Sequence, residues 1–154
     1  MLTKTVIDFL KTKEFVSIAT CDLNGRPNAV PKFILKIEGN FIYLVDYTYG
    51  RSFENLKINP KVSLSFVNTE DLKGYQVNGS VELIEKGPAF ENIASELVQK
   101  QISLSTDRII KGLNTGKRHE NFEITIPEKF VIFKVKVEEV LVLFHGGEIR
   151  REKV

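Results

Sequence analysis

The chain has 154 residues, of which 42% are hydrophobic and 27% charged, with a formal charge of +2; that suffices for one cored domain, expected over residues 1–154. Lys and Arg interleave with Asp and Glu, which excludes a nucleic-acid-coating protein, and the single cysteine, Cys21, excludes an intrachain disulfide framework and fits a reducing compartment. No apolar run reaches membrane-span length and "MLTKTVIDFLKTKEF" lacks the apolar centre of a signal peptide, so no membrane partner and a cytoplasmic location are expected.

The first segment reads as a helix: Val6, Phe9, Leu10 and Lys13 recur at helical spacing, with Thr3 or Thr5 to cap it. The period then changes. "FVSIAT" (Phe15 to Thr20) alternates as a strand does, and "DLNGRP" is a turn in which Asn24-Gly25 supplies the positive φ of a tight hairpin. "NAVPKFILKI" (Asn28 to Ile37) resumes the extended pattern. Pro31 within it cannot donate to a ladder, so this position is an edge, a bulge or a place where something other than a strand approaches. "EGN" is a second turn, followed by the strand "FIYLVD" (Phe41 to Asp46).

"GRSFENLKINPKVSLSF" (Gly50 to Phe66) holds the most informative chemistry. Ser52 is expected to cap the short helix "FENLKI", with Phe53, Leu56 and Ile58 facing the core, and Asn59-Pro60 ends it. A helix start offers free N–H groups, Arg51 a forked cation and Ser52 a hydroxyl. One reading is a phosphate cradle; the other is a capped helix with a surface arginine. Lys32 either points to the same anion or is solvated like Lys36.

Further strands follow: "KVSLSF", with Val62, Leu64 and Phe66 on one face, and "YQVNGSVELIE" (Tyr75 to Glu85). "GPAFENIASELVQKQ" is a helix begun at Pro88, with Phe90, Ile93, Leu97 and Val98 in one stripe. Residues 102–128 are weakly patterned, with a short helix expected over Asp107 to Leu113. "FVIFKVKVEEVLVLF" (Phe130 to Phe144) is one bent strand or two, and the charged tail "HGGEIRREKV" is expected to be mobile. Six strands joined mostly by hairpins, without βαβ alternation, predict an antiparallel barrel with added helices. His119 and His145 lack partners at metal-ligand spacing, and neither a serine-hydrolase elbow nor a nucleotide-binding glycine loop is present.

In order, "FVSIATCDLNGRPNAVPKF", "FIYLVDYTYGRSFENLKINPKVSLSF" and "GYQVNGSVELIE" resemble the pyridoxamine 5'-phosphate oxidase-like family of FMN-binding split barrels, over residues 5 to 95 and the strand from Phe130. The most specific parts are "RSFENLKINPKVSL" and the Gly79-Ser80-Val81 pattern. The resemblance implies a six-stranded antiparallel split β-barrel (Greek key) with flanking helices, and FMN in a groove of a homodimer. It implies phosphate contacts from Arg51 and Ser52. Val30, Pro31, Lys32 and Phe33 would run along the ring and ribityl chain. Asp46, Tyr47 and Thr48 would flank the flavin, and Gln76 would come from the second subunit.

The oxidase branch carries two adjacent basic residues where this chain has Arg51-Ser52, and a C-terminal signature with tryptophan and a closely spaced Arg and His. This chain has no Trp, and "FHGGEIRREKV" does not reproduce the signature. The implied activity is therefore an FMN-dependent oxidoreduction of a small molecule, with NAD(P)H as a candidate donor, rather than pyridoxal phosphate synthesis. A flavin-binding or electron-transfer protein without its own substrate, and a cofactor-free binding barrel, are the alternatives. Deazaflavin and haem are alternative ligands of similar proteins.

Overall fold

The computed structural model describes residues 1–116 and 128–154. Residues Met1–Ile84 and Phe130–Val154 form one compact unit, and Glu85–Lys129 form another.

The first unit holds helix α1 (Lys4–Lys11), strands β1 (Phe15–Cys21), β2 (Pro27–Glu38) and β3 (Phe41–Asp46), helix α2 (Arg51–Ile58), and strands β4 (Lys61–Asn68), β5 (Lys73–Ile84), β6 (Val131–Leu143) and β7 (Ile149–Lys153). All strand pairings are antiparallel. The order β3-β2-β1-β4-β5-β6 closes through a β3–β6 pairing, giving a six-stranded barrel, and β7 adds to the far side of β6. This is the split barrel with flanking helices that the sequence predicts.

The local causes are legible. Gly25 and Gly39 take φ of +79° and +58° in the first two hairpins, where a side chain at Cβ would be strained. The Asp22 carboxylate accepts from the N–H groups of Asn24 and Arg26 at 2.9 and 2.8 Å, which tightens the first turn. The Thr3 hydroxyl oxygen accepts from Val6 N–H at α1, and Val6 and Leu10 are buried. The barrel interior holds Ile18, Leu44, Leu64, Val77, Phe133 and Val135, none of them measurably exposed, so burial in the closed barrel dominates its stability. Gly79 sits opposite an irregularity in β6. A Cβ there would lie 2.2 Å from the Lys136 carbonyl oxygen, which explains the glycine of the Gly-x-Val pattern: the β6 backbone occupies the space.

Two expectations are corrected, and one pair of alternatives is decided. The C-terminal tail is not mobile coil throughout: Ile149–Lys153 pair with Leu143–Glu139 of β6 as β7. Ladder hydrogen bonds order a strand even where no apolar alternation announces it. Ile58 is exposed rather than core-facing, whereas Phe53 and Leu56 are buried. Residues Phe130 to Phe144 supply one strand, which pairs with β5 on one side and with β3 and then β7 on the other.

Among its described residues the second unit contains one helix, α3 (Pro88–Thr115, 28 residues), where a helix to Gln101 and a separate short one were expected. Pro88 opens it, and Gly116, at φ +66°, closes it in the left-handed conformation. Ser105, Thr106 and Thr115 donate their hydroxyls to the carbonyls four residues back, at 2.8–2.9 Å. Those back-bonds give the hydroxyls partners inside the helix. Ile93 and Leu97 are buried, but Val98 is exposed, so it lies on a different face from the expected stripe. His119 lies outside the described residues.

Candidate functional site

Strand β2 has two halves. Pro27–Phe33 pair with β1, and β3 joins the other side only from Phe33 onward. Over Pro27–Lys32 the second edge of β2 carries no strand among the described residues. Pro31 stands in that stretch, where its missing N–H leaves no ladder gap. The same edge bears Asn28, Val30 and Lys32.

Helix α2 is fastened beside this edge by three asparagines. Asn55 Nδ2 donates to Thr20 Oγ1 at 3.1 Å, between two buried side chains, and Asn59 Nδ2 donates to the Cys21 carbonyl at 3.3 Å. Asn28 Nδ2 donates to Ser52 Oγ at 2.9 Å. The helix cap is Gly50, not Ser52: Arg51 and Ser52 are the first two helical residues, and no side chain caps the start. The reason is the route of the chain. Tyr49 takes φ +47° and lays its ring edge-on to Phe53 at 5.0 Å, which delivers Gly50 in extended conformation two residues before the expected cap.

Each group at this corner has a defined hydrogen-bonding state. Ser52 is buried and accepts from Asn28, so its own hydroxyl hydrogen remains to be donated. Arg51 is exposed and forms no ion pair among the described residues. The uncapped N–H groups of the first turn carry the positive end of the helix. Together these suit a phosphate: donors and a fork-shaped cation, with no carboxylate hydrogen-bonded to them.

Lys32 is differently placed. Its Nζ lies 2.6 Å from Asp46 Oδ1 and 3.3 Å from Thr48 Oγ1, with Lys32 7% and Asp46 0% exposed. Thr48 also donates to Asp46 Oδ1 through N–H (3.1 Å) and hydroxyl (2.7 Å). One carboxylate oxygen thus takes three donors, while Asp46 Oδ2 is buried without a partner. The ammonium compensates the buried carboxylate, and the pair anchors the turn between β3 and α2. Lys32, Asp46, Thr48 and, two residues on, Gly50 form one connected corner. Val30 is half-buried. Phe33 is buried and meets Phe15 at 5.9 Å, edge to face. Tyr47 stands edge-on to Phe130 at 6.1 Å.

Gln76 is not hydrogen-bonded to this corner. On the outer face of β4 and β5 its Nε2 donates to Ser63 Oγ (2.9 Å) and Asn78 Oδ1 (3.2 Å). Asn78 in turn donates to Glu139 (3.0 Å), which pairs with Arg151 at 3.5 Å. Sequence reasoning missed Asn28, Asn55 and Asn59 as positioning residues; the one available signal was the density of asparagine around "GRSFENLKINP".

The family model for pyridoxamine 5'-phosphate oxidase matches residues 2–144. An uncharacterized protein of Methanocaldococcus jannaschii is 30% identical over 99 residues, which cover 62% of this chain and 64% of that relative, so less than two thirds of its length is spanned. Among solved structures, a Clostridium acetobutylicum protein related to general stress protein 26, of the pyridoxinephosphate oxidase family, aligns with TM-score 0.65 and 20% identity over 97% of this chain and 92% of that one. A pyridoxamine 5'-phosphate oxidase-related, FMN-binding protein of Nostoc punctiforme aligns with TM-score 0.56 and 13% identity over 96% and 91%. The chain belongs to the pyridoxamine 5'-phosphate oxidase family.

Proposed function

We propose that this family member is a homodimeric flavoprotein that binds FMN at the α2 corner and oxidises or reduces a small molecule there. The observation that carries the reading is the hydrogen-bonding state of Ser52. Its oxygen is occupied by Asn28, so its hydrogen is available beside the Arg51 guanidinium and the uncapped helix start. Those three donors match the terminal phosphate of FMN. The FMN-binding character of the Nostoc punctiforme protein supports the same ligand class.

In this reading the open edge of β2, Val30 to Phe33, runs along the ribityl chain and ring through its backbone groups. Thr48 and Tyr47 flank the flavin, and Asp46 acts by holding Lys32 and Thr48 in place. A second copy supplies Gln76 from its outer β5 face, and Tyr47 or Tyr49 borders the substrate. The flavin, when bound, supplies the electron chemistry; the protein supplies binding, orientation and electrostatics. NADH or NADPH is the proposed electron donor.

The test is titration of the purified protein with FMN, followed by absorption and fluorescence, for the parent and for Arg51→Ala combined with Ser52→Ala. Each charge-assisted hydrogen bond contributes about 1.5–3 kcal/mol, so the double variant is expected to bind FMN at least about 10-fold more weakly. Unchanged affinity overturns the site. A deazaflavin or haem spectrum in the protein as purified overturns FMN as the ligand. Reduction of the bound flavin by NADH or NADPH checks the donor.

A further inference from the structure

Strand β6 departs once from regular pairing with β5. Asn78 pairs with Glu139 and Gly79 with Val137, so Glu138 is an extra residue. Regular alternation would send Glu138 and Glu139 to opposite faces. Both lie on the outer face instead: Glu138 accepts from Ser80 Oγ at 3.0 Å, and Glu139 accepts from Asn78 Nδ2 at 3.0 Å. A bulge re-aims a side chain in this way, and bulges are frequent beside functional sites. The side chain re-aimed here is Glu139, onto the asparagine that Gln76 touches.

Hydrogen-bond polarity then runs one way along the row. A carboxylate only accepts, so Asn78 turns its nitrogen to Glu139 and its oxygen to Gln76. Gln76 meets that oxygen with its own Nε2 at 3.2 Å, and Ser63 Oγ accepts from the same Nε2 at 2.9 Å. Ser63 does not set the polarity, because a hydroxyl rotates to donate or to accept. Glu139 is itself held: its side chain is 19% exposed, and Arg151 of β7 lies 3.5 Å from its other oxygen.

Both hydrogens of the Gln76 amide are therefore engaged, and Gln76 Oε1 has no partner among the described residues. That oxygen is not sealed in, since the buried side-chain oxygen without a partner is Asp46 Oδ2. A glutamine without such neighbours offers a ligand either end of its amide. Gln76 offers the carbonyl, which takes an N–H or O–H and disfavours a carboxylate or phosphate oxygen. We infer that Glu139 is a positioning residue: acting through Asn78, it holds the Gln76 amide oxygen outward, so that the outer face of β5 recognises its ligand by an N–H or O–H donor. The inference rests on the reading that Gln76 of a second copy meets the flavin, whose ring imide and ribityl hydroxyls are donors of that kind.

The experiment uses the full chain, labelled for nuclear magnetic resonance of its side-chain amides, with the Gln76 pair assigned by its loss in Gln76→Met. The Gln76 amide hydrogens are expected to exchange with water at least about 10-fold more slowly than those of the exposed Gln99. In Glu139→Lys the ammonium draws Asn78 Oδ1, both amides turn over, and the slow exchange is expected to vanish. Equal rates for Gln76 and Gln99 in the parent, or slow exchange kept in Glu139→Lys, overturns the fixed orientation. FMN titration reads the consequence. Glu139→Lys is expected to bind FMN about 10-fold more weakly, whereas Glu138→Lys, the same charge change one residue away and outside the row, is expected to keep the parent's affinity. Unchanged affinity in Glu139→Lys, or an equal loss in both variants, overturns the positioning role. If Glu139→Lys fails to fold, Glu139→Leu, which removes the acceptor without adding a cation, is read by the same two measurements. A parent that binds no FMN overturns the flavin reading and the ligand with it, while the exchange rates still decide the orientation. FMN binding lost in the combined Arg51→Ala and Ser52→Ala variant but kept in Glu139→Lys counts against this inference alone.

Discussion

The barrel carries the same chemical pair, an ammonium on a carboxylate, at two depths. Lys32 and Asp46 meet at 2.6 Å where both are buried. Lys61 and Glu138 meet at 3.1 Å with side chains 65% and 44% exposed. The inner pair replaces water: one carboxylate oxygen takes its donors from Lys32 and Thr48, and the loop into α2 is fixed as a result. The outer pair competes with water at every moment, and clips β4 to β6 beside Gly79 without organising anything else. Depth, not distance, separates an ion pair that shapes a site from one that decorates a sheet.

The comparison is sharpest when one partner is removed. Lys32→Met leaves the Asp46 carboxylate buried and uncompensated, and is expected to destabilise by about 3–5 kcal/mol in urea unfolding. Adding Asp46→Leu is expected to restore stability to the parent's or above, because two apolar side chains need no compensation. A double variant no more stable than Lys32→Met would mean that the pair supports the fold through geometry rather than through mutual neutralisation. Asn55→Ala comes next. It removes the buried amide on Thr20 and is expected to cost about 1–3 kcal/mol, and, on the proposed flavin reading, to weaken FMN binding because α2 loses an anchor. A stability loss with unchanged FMN affinity would separate the anchor from the cradle.

The outer pair gives the smallest effect, visible as a pH dependence. The Glu138 carboxyl is held below its ordinary value, first by the hydrogen bond from Lys61 and then by that from Ser80. A depressed folded value means stability that is present above the ordinary carboxylate range and lost as the pH falls through the folded value. Thermal melts between about pH 6 and pH 3 are expected to show this loss in the parent and less of it in Lys61→Met. Identical pH profiles would show that Lys61 does not hold the carboxylate in solution.

What the sequence disclosed depended on periodicity. The barrel strands alternate, the Asn24-Gly25 turn is a strong local signal, and Asn59-Pro60 marks the end of the short helix that Arg51 begins. The rest lacked a local mark. Lys32 and Asp46 are fourteen residues apart and meet only because β2 and β3 pair. Asn28, Asn55 and Asn59 act through single amides, which leave no pattern. Helix α3 hid its length because Ser103, Ser105 and Thr106 are poor helix formers, and its two apolar directions blur the 3.6-residue period. Strand β7, "IRREK", reads as solvated coil because it lies against a neighbour through its backbone and exposes every side chain.

That last strand has a further consequence. Beyond Asn40, β3 no longer accompanies β6, and the bare hydrogen-bonding groups of Glu139–Leu143 would be a template for a foreign strand. β7 occupies them and presents Arg150, Arg151, Glu152 and Lys153 outward in their place. A sticky margin is thereby exchanged for a charged one, on which a further chain gains little by docking. Five residues with no hydrophobic pattern thus guard the barrel against fibrillar self-templating.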